Sequence, residues 1–333
     1  MNTFICSSIP FKLSGVGIIM LLLTSCLQKE LPVTPHEAGD VLVAGVDMDP
    51  LYKYQIYYDL KTNTVVGKNE KTIWDLGFEA TAEGYHVVLN SARAMYVMPT
   101  MATNFEAVTF ADTAGFAANR RWDSPSGSMD STAVGDWRAK KTVYIIDRGF
   151  DPMGKHQGWA KLQLTSVTDS SFNIAFANLA DGIATHLSVK KDSLYNLSFV
   201  SLTTNQQLMV EPPKQSWDLV FTQYTFVFYG QIPVTPYLVT GCLLNRYNTT
   251  AYLDTVSDFT SLGFASVNQD LFVPNMGAIG YDWKAYNGVS YAIKTKNKYL
   301  IRDADGIVYK LRFTGFYNAQ GVKGSPQLEY QRL

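Results

Sequence analysis

Short runs that alternate polar and apolar side chains dominate this chain. Examples are Tyr54-Gln-Ile-Tyr-Tyr58, Lys141-Thr-Val-Tyr-Ile-Ile146, Trp159-Ala-Lys-Leu-Gln-Leu164 and Trp217-Asp-Leu-Val-Phe221. Tyr291-Ala-Ile293, Lys298-Tyr-Leu-Ile301 and Val308-Tyr-Lys-Leu-Arg-Phe313 follow the same rule. β-Branched and aromatic residues at a period of two suit half-buried strands. Asp303-Ala-Asp-Gly306 separates two such runs, and Asp-Gly accepts the positive φ of a tight hairpin turn. Long segments with a 3.6-residue apolar period are absent. The pattern predicts an all-β fold of antiparallel strands.

The same landmarks occur twice, in the same order. Asp49-Pro-Leu-Tyr52 recurs as Asp192-Ser-Leu-Tyr195, and Leu60-Lys-Thr-Asn63 as Leu202-Thr-Thr-Asn205. Trp74-Asp-Leu76 recurs as Trp217-Asp-Leu219, and Ala133-Val-Gly-Asp-Trp137 as Ala278-Ile-Gly-Tyr-Asp-Trp283. Tyr144-Ile-Ile146 matches Tyr299-Leu-Ile301, and Lys161-Leu-Gln-Leu164 matches Lys310-Leu-Arg-Phe313. Chance matches would not stay collinear. The sequence therefore predicts two tandem antiparallel β copies, at 38–180 and 181–333, each of ordinary domain size.

The first residues carry a different signal. Lys12 precedes the apolar run Leu13–Leu23. Eleven residues at about 1.5 Å each reach roughly half of a 30 Å hydrocarbon core, which suits the core of a secretory signal better than a membrane span. The run ends in Leu23-Thr-Ser-Cys26, which resembles the lipobox of bacterial lipoproteins. On that reading residues 1–25 are a lipoprotein signal peptide, and Cys26 carries the acyl chains that anchor the protein to a membrane. Residues 26–37, with Pro32 and Pro35, form a tether. Of the 3 cysteines only Cys242 then remains in the body, where Leu238-Val-Thr-Gly-Cys-Leu-Leu244 suggests a small core residue.

Composition narrows the function. With Lys+Arg 28 against Asp+Glu 29, the chain lacks the basic excess of a nucleic-acid binder. Only 4 His and 3 Cys leave little for zinc or thiol chemistry, and no His pair has metal-ligand spacing. There is no Gly-x-Ser-x-Gly elbow, P-loop or His-Glu-x-x-His, so no enzyme class is indicated.

Several separated segments together resemble the HmuY-like haem-binding lipoproteins. They are Trp217-Asp-Leu-Val-Phe-Thr-Gln-Tyr224, Tyr299-Leu-Ile-Arg-Asp-Ala-Asp-Gly306, Lys310-Leu-Arg-Phe-Thr-Gly-Phe-Tyr317 and Lys323-Gly-Ser-Pro-Gln-Leu-Glu-Tyr330. Trp74-Asp-Leu76, Tyr85-His-Val-Val-Leu-Asn90 and Tyr144-Ile-Ile146 extend the likeness more faintly into the first copy. The resemblance implies a lipid-anchored, all-β, non-enzymatic protein on the outer membrane of Gram-negative cells. Such proteins capture haem or a porphyrin and pass it to an outer-membrane receptor. Familiar members carry one such unit, so the tandem pair departs from the pattern.

So do the ligands. The best-known members clamp iron with two His, and some relatives use Met. Here the corresponding stretch, Thr255 to Asn297, contains no His or Cys. Its soft ligand is Met276, and the position of the second family His falls near Tyr286, where a tyrosinate is a possible iron ligand. Met129 recurs in the first copy at the place of Met276. Met276 and Tyr286 are thus the candidate cofactor-binding residues. Trp74, Trp217, Asp75 and Asp218 read as structural, as core aromatics and turn-capping carboxylates. The competing expectation keeps the scaffold but loses haem, leaving a module that docks to a surface transport complex or a glycan.

Overall fold

A computed structural model describes residues 38–333; Cys26, the signal peptide and the tether lie outside the described residues. The body from Ala38 to Leu333 is one compact unit, almost entirely antiparallel β. Its first strands are β1 (Val41–Gly45), β2 (Tyr54–Asp59), β3 (Thr64–Glu70), β4 (Leu76–Glu79), β5 (Val87–Leu89), β6 (Tyr96–Pro99) and β7 (Val143–Asp147). Then come β8 (Trp159–Val167), β9 (Ser171–Asn178), β10 (Thr185–Lys190), β11 (Leu197–Ser201), β12 (Gln206–Leu208) and β13 (Leu219–Phe228). The last are β14 (Thr235–Leu244), β15 (Thr250–Asp254), β16 (Lys284–Tyr286), β17 (Tyr291–Ile293), β18 (Lys298–Arg302), β19 (Val308–Tyr317) and β20 (Lys323–Arg332). The expected all-β fold and its tandem character are present. The predicted Asp303–Gly306 turn joins β18 to β19; Asp303 Oδ1 accepts from the Asp305 and Ile307 amides, and Gly306 has φ +82°.

Strand pairing builds two sandwiches of the same design. In lobe 1 a four-stranded sheet, β12-β11-β4-β5, faces a five-stranded sheet, β10-β9-β8-β7-β6. In lobe 2 the counterparts are β3-β2-β13-β14 and β1-β20-β19-β18-β15, with β16-β17 as a separate hairpin. Each sandwich has its own core. One is centred on Phe78, Trp137, Tyr144, Phe172 and Val200, the other on Tyr58, Phe221, Trp283, Tyr299 and Phe313.

The packing units do not follow the sequence copies. β10, β11 and β12 belong by sequence to the second copy, yet β10 pairs with β9 and β11 pairs with β4. Their counterparts at the start of the chain complete the other lobe: β1 pairs with β20 and β2 with β13. Lobe 1 is thus the continuous stretch from Trp74 to about residue 212. Lobe 2 takes the remainder from both ends, closed by the β1–β20 ladder from Val41↔Gln331 to Gly45↔Gln327. The crossing back to lobe 2 is tight. A Cβ on Gly67 would lie 2.7 Å from Pro212 Cγ, so the position requires glycine.

Matching hydrogen bonds fix both crossings. Asp75 Oδ2 accepts from Leu202 N at 2.7 Å, and Asp218 Oδ2 accepts from Leu60 N at 2.9 Å. Asn90 donates to the carbonyls of Lys71 and Trp74, as Asn245 donates to those of Lys214 and Trp217. Within each lobe a buried lysine on the five-stranded sheet holds a long loop. Lys161 Nζ donates to Val108 O at 2.9 Å, and Lys310 Nζ donates to Leu262 O at 2.8 Å, each above a phenyl ring. Such charged donors keep a buried ammonium hydrogen-bonded where desolvation would otherwise exclude it.

Candidate functional site

The four-stranded sheets are apolar on both faces, and their outward faces meet. Alternation explains this: Ile56, Tyr58, Leu219, Phe221 and Leu244 enter the lobe 2 core, while Tyr57, Val220 and Leu243 point the other way. In lobe 1 Leu76, Phe78 and Val200 face inward, while Val88, Leu197 and Phe199 face outward. Between these outward faces lies a cleft. Its walls carry two matched aromatic pairs. Trp74 meets Phe199 edge-on at 4.8 Å, and Trp217 meets Tyr57 edge-on at 5.0 Å.

Polar groups enter this apolar space from three places. Glu211, between β12 and β13, is buried and accepts from the amides of Asn196 and Leu197 at 2.6 and 2.8 Å. Burial pushes its carboxyl up to about 7 against those bonds. Asp123, on the lobe 1 loop, accepts from Leu89 N and Ala133 N, both at 2.7 Å, and burial raises it to about 6. Arg246, just after β14, is half-buried and lines the cleft. Burial lowers its pKa, and the nearby Glu211 and Asp123 charges oppose that shift. Its Nη1 donates to Gly127 O at 3.0 Å and contacts Met129 Sδ at 2.9 Å. Among the described residues no carboxylate forms an ion pair with it within 4.0 Å. The two acids and the guanidinium therefore share the cleft without closing on one another, and the space between them is suited to water or a polar ligand group.

Met276 is at the edge of the same cleft. It lines both the cleft and a side chamber, and Met129 and Arg246 line that chamber too. The loops interlock there, with Met276 N donating to Ser126 O at 3.0 Å. Gly127, at φ +73°, lets the thioether lie where a Cβ would stand. The two recurring methionines, one from each copy, thus line one chamber.

Tyr286 is elsewhere. It is exposed on the β16–β17 hairpin and lines a separate open depression with Tyr291, Tyr317 and Lys323. Met276 and Tyr286 share no cavity. The described histidines are engaged or peripheral: His86 Nδ1 is 2.6 Å from Glu79, His156 Nε2 is 2.8 Å from Asp147, and His186 sits on β10. No group of three or more His, Cys, Asp or Glu able to hold a metal ion occurs among the described residues. Cys242 is fully buried, as its apolar surroundings suggest, and burial raises its thiol far above the usual range. Trp74 and Trp217 are buried too, but in the walls of the cleft rather than in either lobe's core. Sequence reading did not single out Arg246, Glu211 or Asp123. Arg246 and Glu211 do not recur between the copies, and recurrence was the available signal.

The HmuY protein family model matches residues 51–171 and 236–330, well over half of the chain. The chain belongs to the HmuY family. The two matched regions agree with a tandem HmuY-type arrangement. Similar solved structures include a HmuY-like haem-binding protein from Bacteroides vulgatus, 13% identical, covering 87% of this chain and 90% of that one, with a TM-score of 0.19. Apo PinO from Porphyromonas gingivitis is 12% identical over 88% of this chain and 97% of its own, with a TM-score of 0.26. The apo HmuY analog of Tannerella forsythia is 10% identical over 89% and 98%, with a TM-score of 0.23. No curated protein matches.

Proposed function

We propose that this HmuY-family chain is a non-enzymatic capture protein for haem or a related porphyrin. It is anchored at the cell surface by lipid on Cys26 and delivers its ligand to an outer-membrane receptor. One observation carries the ligand reading: Met276 and Met129, from corresponding loops of the two copies, line one chamber beside an aromatic-walled cleft. Thioethers are soft iron ligands, aromatic walls suit a flat apolar ring, and Arg246 offers a guanidinium to an acidic substituent.

Titration with ferric and with ferrous haem tests this. A shifted Soret band and saturable binding at micromolar haem are expected. Met276→Ala should weaken binding at least tenfold and change the spectrum, while Tyr286→Phe should do neither. Absence of a Soret shift in both oxidation states would remove haem as the ligand.

A second reading is favoured by one contact. Met129 Sδ is already engaged by Arg246, which leaves Met276 without a free partner thioether. On that reading the scaffold has lost haem and acts as an interaction module on a surface transport complex or a glycan. Membrane pull-down that returns a partner, together with a blank haem spectrum, would select it.

A further inference from the structure

Between Asp218 and Arg246 the chain carries no charged side chain, although 17% of all residues are charged. This stretch is the long β13–β14 hairpin. Its base is built into lobe 2 through β2, but its tip, from Phe228 to Thr235, pairs with no other strand. There Ile232 is fully exposed, and Tyr229, Val234 and Tyr237 are exposed around it.

Two further hairpin tips share the neighbourhood. Tyr281, just before β16, packs edge-on against Phe226 and Phe228 of β13 at 4.9 and 6.3 Å. Tyr237 lies near enough to Tyr291 of β17 to help raise its pKa, after the larger effect of burial. The β16–β17 tip ends in Val289, 89% exposed, and shares an open depression with Gly321 and Lys323 at the β19–β20 turn. Val322, in that turn, is exposed as well. Each tip therefore presents an aliphatic side chain, with tyrosines behind it. Lys323 stands beside them over the Tyr52 ring, with no ion pair among the described residues.

We propose that these three tips form a membrane-docking face that dips into the interfacial layer of a bilayer. The order of side chains matches the depth profile of a bilayer. Aliphatic groups reach the acyl boundary, tyrosines suit the head-group level, and lysine meets anionic head groups. Absence of charge along the leading hairpin removes the main cost of insertion. Separate protruding points also suit a fluid surface better than a complementary protein face, whose hot spots need a packed pocket. The face does not involve Met276 or the cleft, so it stands independently of haem.

The test uses residues 38–333, which hold both lobes, their cores and the β1–β20 closure. The protein is co-sedimented with phosphatidylcholine vesicles, with and without phosphatidylglycerol. Binding is expected to both, and to be stronger with the anionic lipid. The Ile232→Asp, Val289→Asp double variant should bind at least tenfold more weakly with an unchanged near-UV spectrum, since both side chains face solvent. Lys323→Gln should remove the preference for phosphatidylglycerol. As a second readout, the indole introduced by Ile232→Trp should shift to the blue and be quenched by brominated lipid. Failure of the parent protein to sediment would overturn the proposal, as would undiminished binding by the double variant. Capture only by protein-containing outer membranes would make the occupant a protein and likewise overturn it.

Discussion

The two lobes share a plan but differ in how well their buried polar groups are satisfied. In lobe 1 Asp75 caps Leu202 N and is met by Arg93 at 2.8 Å and Arg148 at 3.1 Å. In lobe 2 Asp218 caps Leu60 N the same way, but the position of Arg148 is taken by Asp303, and like charge replaces opposite charge. The tryptophans repeat the contrast. Trp74 donates to Gln55 at 2.9 Å and Trp137 to Tyr85 O at 2.8 Å, whereas the indole nitrogens of Trp217 and Trp283 have no acceptor. Buried donors are normally paired, and each exception calls for an explanation. Lobe 1 pairs its matched carboxylate and both indoles, leaving only Arg93 Nε of this set without a partner, whereas lobe 2 lacks the guanidinium partners and both indole acceptors. Lobe 2 is also the lobe that contributes Met276, Arg246 and the proposed docking tips.

The largest expected difference is at the matched carboxylates. Asp75→Ala strands two buried guanidinium groups and should cost about 3–5 kcal/mol. Asp218→Ala removes one cap and relieves a repulsion, so about 1 kcal/mol is expected. Guanidinium denaturation of the two variants measures both, and equal losses would break the comparison.

A pH effect comes next. Burial, reinforced by Asp303 and Asp59, raises Asp218 to about 7 from an ordinary value near 3.8. The folded state then holds a proton that the unfolded chain releases. The resulting stability is complete below about pH 4 and is lost as the pH rises towards 7, by about 2 kcal/mol or more. Asp218→Asn should flatten that part of the stability profile. Asp123, Glu211 and Asp303, whose carboxyls burial also raises, add slope of the same sign. An Asn variant with the parental slope would exclude Asp218 as its source.

The smallest contrast is between the indoles. Trp74→Phe breaks a buried hydrogen bond and should cost about 1 kcal/mol more than Trp217→Phe, which breaks none. Thermal midpoints of the two variants decide it. A larger loss for Trp217→Phe would mean that its N–H has a bound partner in solution, which water in the cleft would supply.

Much of this architecture was legible in local pattern. The runs at Tyr54, Trp159, Tyr291, Lys298 and Val308 begin β2, β8, β17, β18 and β19, because alternation and turn chemistry act over a few residues. The recurrence of Met129 and Met276 flagged two residues that line one chamber. The lobe frame was not legible. The pairing of Val41 with Gln331 depends on the far end of the chain, and an apolar period names a face but never its partner. Arg93 and Arg148 were invisible as partners of Asp75 for the same reason. The family resemblance pairs Met276, as the soft ligand, with Tyr286, as the place of the second family His, but a short 3-10 turn and the β16–β17 hairpin send them to different surfaces.

The β1–β20 ladder also sets an order of events. Lobe 1 can complete itself from one continuous stretch as soon as it is made. β1 and the β2–β3 hairpin emerge before the rest of the body, yet β1 must wait for β20 and β2 for β13. Closing contacts of such long range are slow and leave apolar edges uncovered in the meantime. That delay makes lobe 2 the part of the fold that is completed last, and the ladder the contact that completes it.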